Sequence, residues 1–173
     1  MFSCTCILMH VLGESFGWKD AMAAPMFTAD TALTVTDDVG TLDLSQLRDL
    51  QRQTSWARNR TLLDLQRAVA GSDLVLTAWQ GDRLVGCARV LTDFVYRAIL
   101  CDVIVHPLHR RQGVGRLLVE AVTGHPRLAR VQKFTLLTST ARSFYERLGW
   151  RRYPGEGMIY EREGCIEMGL GDE

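Results

Sequence analysis

The chain has 173 residues, of which 47% are hydrophobic and 23% are charged, and its 20 basic and 20 acidic residues give a formal net charge of zero. This composition is typical of one globular domain with a hydrophobic core. It lacks the excess of basic residues expected of a nucleic-acid-binding protein, and no apolar stretch is long enough to span a membrane.

The N-terminal segment contains a short apolar run over residues 6–12, which His10 interrupts and no Lys or Arg precedes. A secretory signal has a basic start and a longer apolar stretch. We therefore expect residues 1–26 to form a flexible extension and residues 27–173 to form a single domain. An alternative is that translation naturally starts at Met22 or Met26.

The five cysteines are scattered along the chain, and Cys4 and Cys6 have no second pair at zinc-finger spacing. No metal site is therefore expected. Cys87 and Cys101 lie in apolar segments, which predicts buried thiols in a reducing compartment, the cytoplasm.

The first half of the chain predicts a strand over residues 33–36 and a leucine-rich helix over 42–50, with Asp43 or Ser45 near its cap. A second helix is predicted over residues 62–71, ending at a glycine. Two strands follow, over residues 74–79 and 84–91; they are joined by a hairpin turn at Gly81-Asp82.

The second half predicts a central strand over residues 98–105, a helix with its apolar stripe between Val114 and Val122, and a strand over 134–138. A helix containing Tyr145 follows, and Tyr153 with residues 158–160 closes the sheet. Elements in this order predict an α/β (α+β) sandwich around a mostly antiparallel sheet.

The most informative segment is residues 103–116, where an apolar strand meets Pro107, a basic turn, two glycines and then a helix. Gly113 and Gly115 carry no Cβ, so the backbone can approach a ligand closely. The free N–H groups of the first helical turn and the helix dipole favour an anion there. Positive charge is added by Arg110, Arg111 and Arg116. The pattern predicts a pyrophosphate cradle, although the glycines could also form a simple strand-to-helix turn.

Two familiar phosphate loops do not fit this segment. A P-loop has Lys and then Ser or Thr after its last glycine, whereas Arg116-Leu117 follows Gly115 here. The dinucleotide-binding fingerprint has a third glycine, which is missing.

The arrangement Arg-x-x-Gly-x-Gly preceded by Val-x-Pro resembles the acetyl-CoA-binding motif of the GNAT N-acetyltransferase superfamily. Residues 141–150 resemble that family's A-x-x-F/L-Y-x-x-x-G-F/W segment, in which Tyr145 stands at the catalytic tyrosine. The resemblance spans roughly residues 35–162 and implies the GNAT fold, a mixed, mostly antiparallel sheet flanked by helices. From the residues alone, Tyr145 could instead be a core residue, because it lies on an apolar helical stripe.

The resemblance implies that acetyl-CoA is the co-substrate. Carried over to this chain, the residues that would bind it are Val103, Ile104, Val105, Arg110, Arg111, Gln112, Gly113, Val114, Gly115, Arg116, Thr138 and Tyr145.

Direct acetyl transfer to a primary amine sets chemical requirements. An alkylamine has a pKa of about 10.4, so only about one molecule in 2,500 is nucleophilic at neutral pH. A base or a water relay must take the proton, and an oxyanion donor is needed. In GNAT enzymes a backbone N–H of the central strand, here around 103–105, is that donor, and Tyr145 would protonate the departing thiolate.

The base is harder to assign. Many GNAT relatives carry a glutamate where this chain has Lys133, and Asn or Asp where it has Thr138. Asp102 is the first candidate because a charged residue in an apolar strand needs a reason, although a structural hydrogen-bonding role is equally open. Asp93 and His106 are alternatives.

Residues 89–98 and 102–105 are similar to a cyanobacterial and chloroplast branch of the family that includes plant serotonin N-acetyltransferases. That similarity implies a small arylalkylamine acceptor, such as serotonin or tryptamine, with Asp93 and Trp56 expected to bind it. Trp56 could equally be a packing residue. The alternatives are a polyamine, a protein lysine or N-terminus, or a non-catalytic CoA-binding regulatory module. A homodimer through an exposed sheet edge is also open.

Overall fold

The computed structural model describes residues 33–152 of the chain. The predicted extension over 1–26 and the closing strand at Tyr153 and 158–160 lie outside the described residues. Within residues 33–152, no helix is long and apolar enough to cross a membrane.

Five strands form one sheet in the order β1-β2-β3-β4-β5. The first four strands are antiparallel to their neighbours, and β5 runs parallel to β4. The predicted mixed α/β fold with a mostly antiparallel sheet is confirmed. The elements are β1 (Leu33–Thr36), α1 (Leu44–Gln51), α2 (Leu62–Ala70), β2 (Leu74–Gln80), β3 (Arg83–Thr92), β4 (Arg97–Val105), α3 (Val114–Thr123), β5 (Lys133–Thr135) and α4 (Arg142–Arg147).

Local sequence signals account for most of these boundaries. Asp43 caps α1, as expected, by accepting a hydrogen bond of 2.7 Å from the backbone N–H of Ser45. Strand β5 is shorter than the predicted 134–138: it ends at Thr135, and Leu137 is 93% exposed. Apolar composition alone therefore overestimated the length of this strand.

Helices α1 and α3 cover opposite faces of the sheet. Leu118 and Val122 of α3 are fully buried against inward-facing residues of β2, β3 and β4. Leu47 and Leu50 of α1 form a second, smaller cluster with Cys87 and other residues of β3 and β4. Because side chains alternate across a strand, one strand supplies both cores.

Helix α2 is bound to the molecule more loosely. Leu65 is its only buried residue, while Leu62 and Leu63 are 38% and 54% exposed. The helix packs mainly on α1 and has few contacts with the sheet. Apolar burial therefore contributes little to fixing its position.

A β-bulge in β4 shapes the region above the cradle. Cys87 pairs with Ile104 and Arg89 with Cys101, so Asp102 and Val103 together lie opposite a single residue of β3. On its other edge, β4 pairs with β5 only over residues 97–99. Within the described range, residues 100–105 therefore have no strand partner on that side, and the sheet splits there.

Candidate active site

The cradle begins directly where β4 ends. The backbone N–H of His106 donates to the carbonyl of Val85 (2.8 Å), and a 3₁₀ turn over Pro107–His109 redirects the chain. Gly113 then adopts a left-handed conformation, with φ of 86°, at the N-cap of α3. Apart from the neighbouring residues in the chain, no atom of the described range lies within 4 Å of the place where a Cβ would stand on Gly113. The backbone of α3's first turn is thus approachable, as the sequence predicted.

The basic residues of the cradle are exposed. Arg110 Nε donates to the carbonyl of Val105 (3.3 Å), which holds the turn against the end of β4. Arg116 pairs with Glu120 at 2.7 Å on the surface of α3, and Arg111 has a left-handed φ of 62°. Three guanidinium groups around one helix N-terminus suit the phosphates of a coenzyme.

Gly115 permits close packing of two helices, whereas Gly113 leaves the backbone open to a ligand. A Cβ on Gly115 would lie 3.4 Å from Cζ of Phe144 and 3.5 Å from Cγ2 of Val105. The missing side chain therefore lets α4 pack closely on the first turn of α3. This packing places Tyr145, the residue after Phe144, beside the cradle.

Tyr145 is partly buried between aromatic rings. The centroid of its ring lies 4.9 Å from that of Phe144 and 5.8 Å from that of Trp150, and both ring pairs are edge-on. Burial raises the pKa of Tyr145 to about 12. Within residues 33–152, its hydroxyl has no hydrogen-bond partner, so this donor is available to a ligand.

Asp102 lies in the bulge of β4 with a left-handed φ of 48°. Arg60 contacts both of its carboxylate oxygens, at 2.7 and 3.3 Å, and Arg89 Nε donates to one of them at 2.7 Å. The carboxylate side chain is only 7% exposed. Both oxygens of the predicted base are thus engaged by guanidinium groups.

Sequence reasoning missed these two arginines. Arg89 is a charged residue in an otherwise apolar strand, a signal of the same kind that drew attention to Asp102. Arg60 gave no such signal, because it stands 42 positions before Asp102 in a polar connector.

Trp56 contacts the Asp102 network, whereas Thr138 holds a turn. The Trp56 ring is 37% exposed and stacks at 5.2 Å on the guanidinium of Arg60, which brings the indole into the Asp102 network. Thr138 Oγ1 accepts a hydrogen bond from the backbone N–H of Ala141 (3.0 Å) and so holds the turn that leads into α4.

Asp93 is not brought together with the other predicted residues. It stands before the start of β4, whereas the cradle follows the end of β4, about 26 Å further along the strand. Its Oδ1 accepts backbone N–H bonds from Val95, Tyr96 and Arg97 at 2.7–3.0 Å. These bonds, the one from Arg97 first, lower the pKa of Asp93 and organise the β3–β4 turn.

His106 lies beside a cleft of about 370 Å³ between α1 and the start of β3. Its Nε2 is 3.2 Å from Nη2 of Arg83. Burial first, and then the charge of Arg83, lowers the pKa of His106. The cleft contains neither Tyr145 nor Asp102, and it meets the cradle only at His106.

Of the two cysteines described, Cys87 is buried as expected, and burial raises the pKa of its thiol to about 12. Cys101, which was also expected to be buried, is only partly buried; it lies where β4 has no strand partner on one side among the described residues. Within the described residues, no group of three or more His, Cys, Asp or Glu could hold a metal ion.

Comparison with known proteins agrees with this geometry. The acetyltransferase (GNAT) domain model matches residues 71–152. A protein of Prochlorococcus marinus named N-acetyltransferase ycf52-like is 32% identical over 125 residues, which are 69% of each chain. The Arabidopsis thaliana protein named GCN5-related N-acetyltransferase 2, chloroplastic, is 28% identical over 140 residues, 69% of this chain and 54% of its own.

A solved structure shares the fold. The crystal structure of a GNAT-family protein of Xanthomonas campestris pv. campestris matches with a TM-score of 0.65 and 34% identity, over 73% of this chain and 93% of that one. Together with the cradle and Tyr145, these likenesses establish that the chain belongs to the GNAT family of acetyltransferases.

Proposed function

We propose that this acetyltransferase transfers the acetyl group of acetyl-CoA directly to the primary amine of a small arylalkylamine, such as serotonin or tryptamine. The observation that carries the transfer chemistry is the open, left-handed Gly113 N-cap with Tyr145 held beside it by the contact between Gly115 and Phe144. One end of the site can thus hold phosphates while the other presents an acid.

The residues present fit acetyl-CoA, which supplies the activated acetyl thioester. The N–H groups of the cradle around Gly113 and Val114 would bind the pyrophosphate, with Gln112 and the arginines Arg110, Arg111 and Arg116 around it. The open edge of β4 at 103–105 offers backbone hydrogen-bonding groups to the pantetheine amides and an N–H to the developing oxyanion. Thr138 is proposed to bind the pantetheine as well.

Tyr145 suits the role of acid. With a pKa of about 12, its phenol stays protonated at neutral pH and can donate to the departing sulfur. In the transfer, the amine nitrogen bonds to the acetyl carbon and the carbon–sulfur bond breaks. The proton that Tyr145 gives to sulfur is replaced by the proton that the amine nitrogen loses, so the phenol is restored at each turnover.

The acceptor side favours an aromatic monoamine. Trp56 presents an exposed indole for stacking, and Arg60 and Arg89 bring two positive charges against the single negative charge of Asp102. A protonated polyamine would bring several further positive charges to this network, whereas a protonated arylalkylamine brings a single one and offers a neutral ring for stacking on Trp56.

The proposal extends to the cellular compartment and the oligomeric state of the protein. Cys87 and Cys101 are free thiols, which suits a reducing compartment such as the cytoplasm. Association into a homodimer stays a prediction.

The test is to incubate the purified protein with acetyl-CoA and, separately, tryptamine, serotonin, spermidine and a lysine peptide, and to identify acetylated products by mass spectrometry. We expect acetylated arylalkylamine as the main product. Product from the polyamine or the peptide alone would overturn the proposed acceptor and leave the transfer chemistry intact. Tight acetyl-CoA binding with no product from any amine would instead favour a regulatory module.

A further inference from the structure

We infer that Asp102 is a positioning residue, which fixes helix α2 and the connector carrying Trp56 over the bulge of β4. The inference rests on how this one carboxylate is bonded to both ends of α2. The part that concerns the amine substrate rests on the proposed function; the part that concerns α2 does not.

The first end of α2 is held through Arg60, which immediately precedes the N-cap, Thr61. Two nitrogens of Arg60 donate hydrogen bonds to Asp102, at 2.7 and 3.3 Å. Its Nη1 also lies 3.5 Å from Oε1 of Gln51, a buried residue at the end of α1. A planar guanidinium on a carboxylate fixes both direction and distance.

The second end of α2 is held through Arg89. Its Nε donates to Asp102 at 2.7 Å, while its Nη1 donates to the carbonyl of Ala68 (3.1 Å) and to Oγ of Ser72 (2.8 Å). Ser72 in turn donates to Ala68 at 2.6 Å. The carboxylate is therefore the shared anchor of the two ends of the helix.

Within residues 33–152, apolar burial contributes little to holding α2. Leu65 is its only buried residue, Val69 is partly buried against the α1 cluster, and the helix packs chiefly on α1. The centre of the network is shielded from solvent, because the side chains of Asp102 and Arg89 are 7% and 14% exposed, while that of Arg60 is 26% exposed. Charge-assisted hydrogen bonds are stronger than neutral ones, and removing one partner of a buried charge pair is strongly destabilising because the other charge is left uncompensated.

The same network reaches the acceptor side. Trp56 stacks on Arg60 at 5.2 Å, so the position of the indole depends on the pair that Arg60 makes. Both oxygens of Asp102 face guanidinium groups. Asp102 therefore orients Trp56 through Arg60 and does not take the proton of the amine.

The variant Asp102→Asn tests this with little backbone disturbance, because Asn tolerates the left-handed φ of 48° as Asp does. Arg60→Gln is the second variant, since it removes one arm of the network and leaves Asp102 and Arg89 paired. Asp49→Asn is the matched control: Asp49 forms an exposed ion pair with Arg52 on α1, and its side chain is 65% exposed.

The first measurement is hydrogen exchange of the purified protein without substrates. We expect amides of residues 62–70 to exchange at least about tenfold faster in Asp102→Asn and Arg60→Gln, with α3 unchanged, and no change in Asp49→Asn. Unchanged exchange of α2 in Arg60→Gln, or equal acceleration in α2 and α3, would overturn the inference. This experiment needs no activity, so it stands even if acetyl transfer is not found.

The second measurement is steady-state kinetics with the amine accepted by the wild-type protein. We expect the KM for the amine to rise at least about tenfold in Asp102→Asn and Arg60→Gln, with kcat within about threefold and the pH profile unchanged in shape. Arg60→Lys should restore part of the KM. A fall in kcat of about 100-fold or more in Asp102→Asn, with the acidic limb of the profile lost and Arg60→Gln unaffected, would show instead that Asp102 is the base.

Discussion

At the residue scale, two glycines with positive φ distinguish ligand binding from stability. Gly113 in the cradle and Gly81 in the β2–β3 hairpin have φ of 86° and 56°, and among residues 33–152, chain neighbours aside, neither has an atom within 4 Å of its Cβ position. A side chain at either position is strained by about 1–2 kcal/mol, because L-residues disfavour left-handed backbone. Only at Gly113 would the new methyl also stand where phosphates are expected.

We therefore expect Gly81→Ala and Gly113→Ala to lower the free energy of unfolding by similar amounts, while only Gly113→Ala weakens acetyl-CoA binding, by about tenfold or more. Urea titration and calorimetric titration with coenzyme A measure the two effects. Equal affinity in the two variants would contradict the placement of the pyrophosphate at Gly113.

At the scale of elements, Gly86 determines how closely β3 and α3 pack. A Cβ there would lie 3.0 Å from Cδ1 of Leu118, 3.1 Å from Cγ1 of Val114 and 3.2 Å from the carbonyl oxygen of Ile104. All three neighbours are buried, so none can move aside freely.

We expect Gly86→Ala to destabilise the fold by about 1–3 kcal/mol, as overpacking does elsewhere. Gly40→Ala is the control, because its close neighbour at 3.1 Å is only the tip of the exposed Asp38 side chain. Chemical denaturation of both variants measures the difference, and a Gly86→Ala protein as stable as Gly40→Ala would show that α3 can shift away from the sheet.

The sequence predicted local features better than distant ones. The Asp43 cap, the hairpin at Gly81-Asp82 and the cradle could all be predicted, because each depends on residues within a few positions. Strand β5 was overestimated because pairing with β4, rather than composition, decides where it ends. The surroundings of Asp102 could not be predicted, since they depend on a bulge and on Arg60, which lies far away in the chain.

At the scale of the whole molecule, a buried histidine joins distant parts of the fold. His125, after α3, is 0% exposed; its Nε2 lies 3.3 Å from Asp37 Oδ2 just beyond β1, and its Nδ1 accepts from the backbone N–H of Arg127. Because Nδ1 is an acceptor, the hydrogen-bond pattern assigns the proton to Nε2. Burial, which outweighs the opposing effect of Asp37, lowers the pKa of His125.

Stability should therefore fall with acidification. Below about pH 6.5 the unfolded chain binds a proton at this histidine that the folded protein excludes, so the free energy of unfolding decreases as the pH falls. We expect Tm to drop between about pH 7.5 and 5.5. The drop should be smaller in His125→Gln, in which the side chain keeps a hydrogen-bond donor and an acceptor. His106, whose pKa is also lowered, contributes the drop that remains. An identical drop in Tm in the wild-type protein and in His125→Gln would contradict the prediction.

The central claim is that Tyr145, held beside the cradle, is the acid of acetyl transfer. The measurement that tests it most directly is the initial rate of thiol release from acetyl-CoA with a saturating amine, in wild type and Tyr145→Phe, with coenzyme A affinity measured in parallel. The account predicts that kcat falls by about 100-fold or more in Tyr145→Phe while the affinity stays unchanged, because only the hydroxyl is removed. Equal rates in the two proteins across the neutral and alkaline range would contradict it.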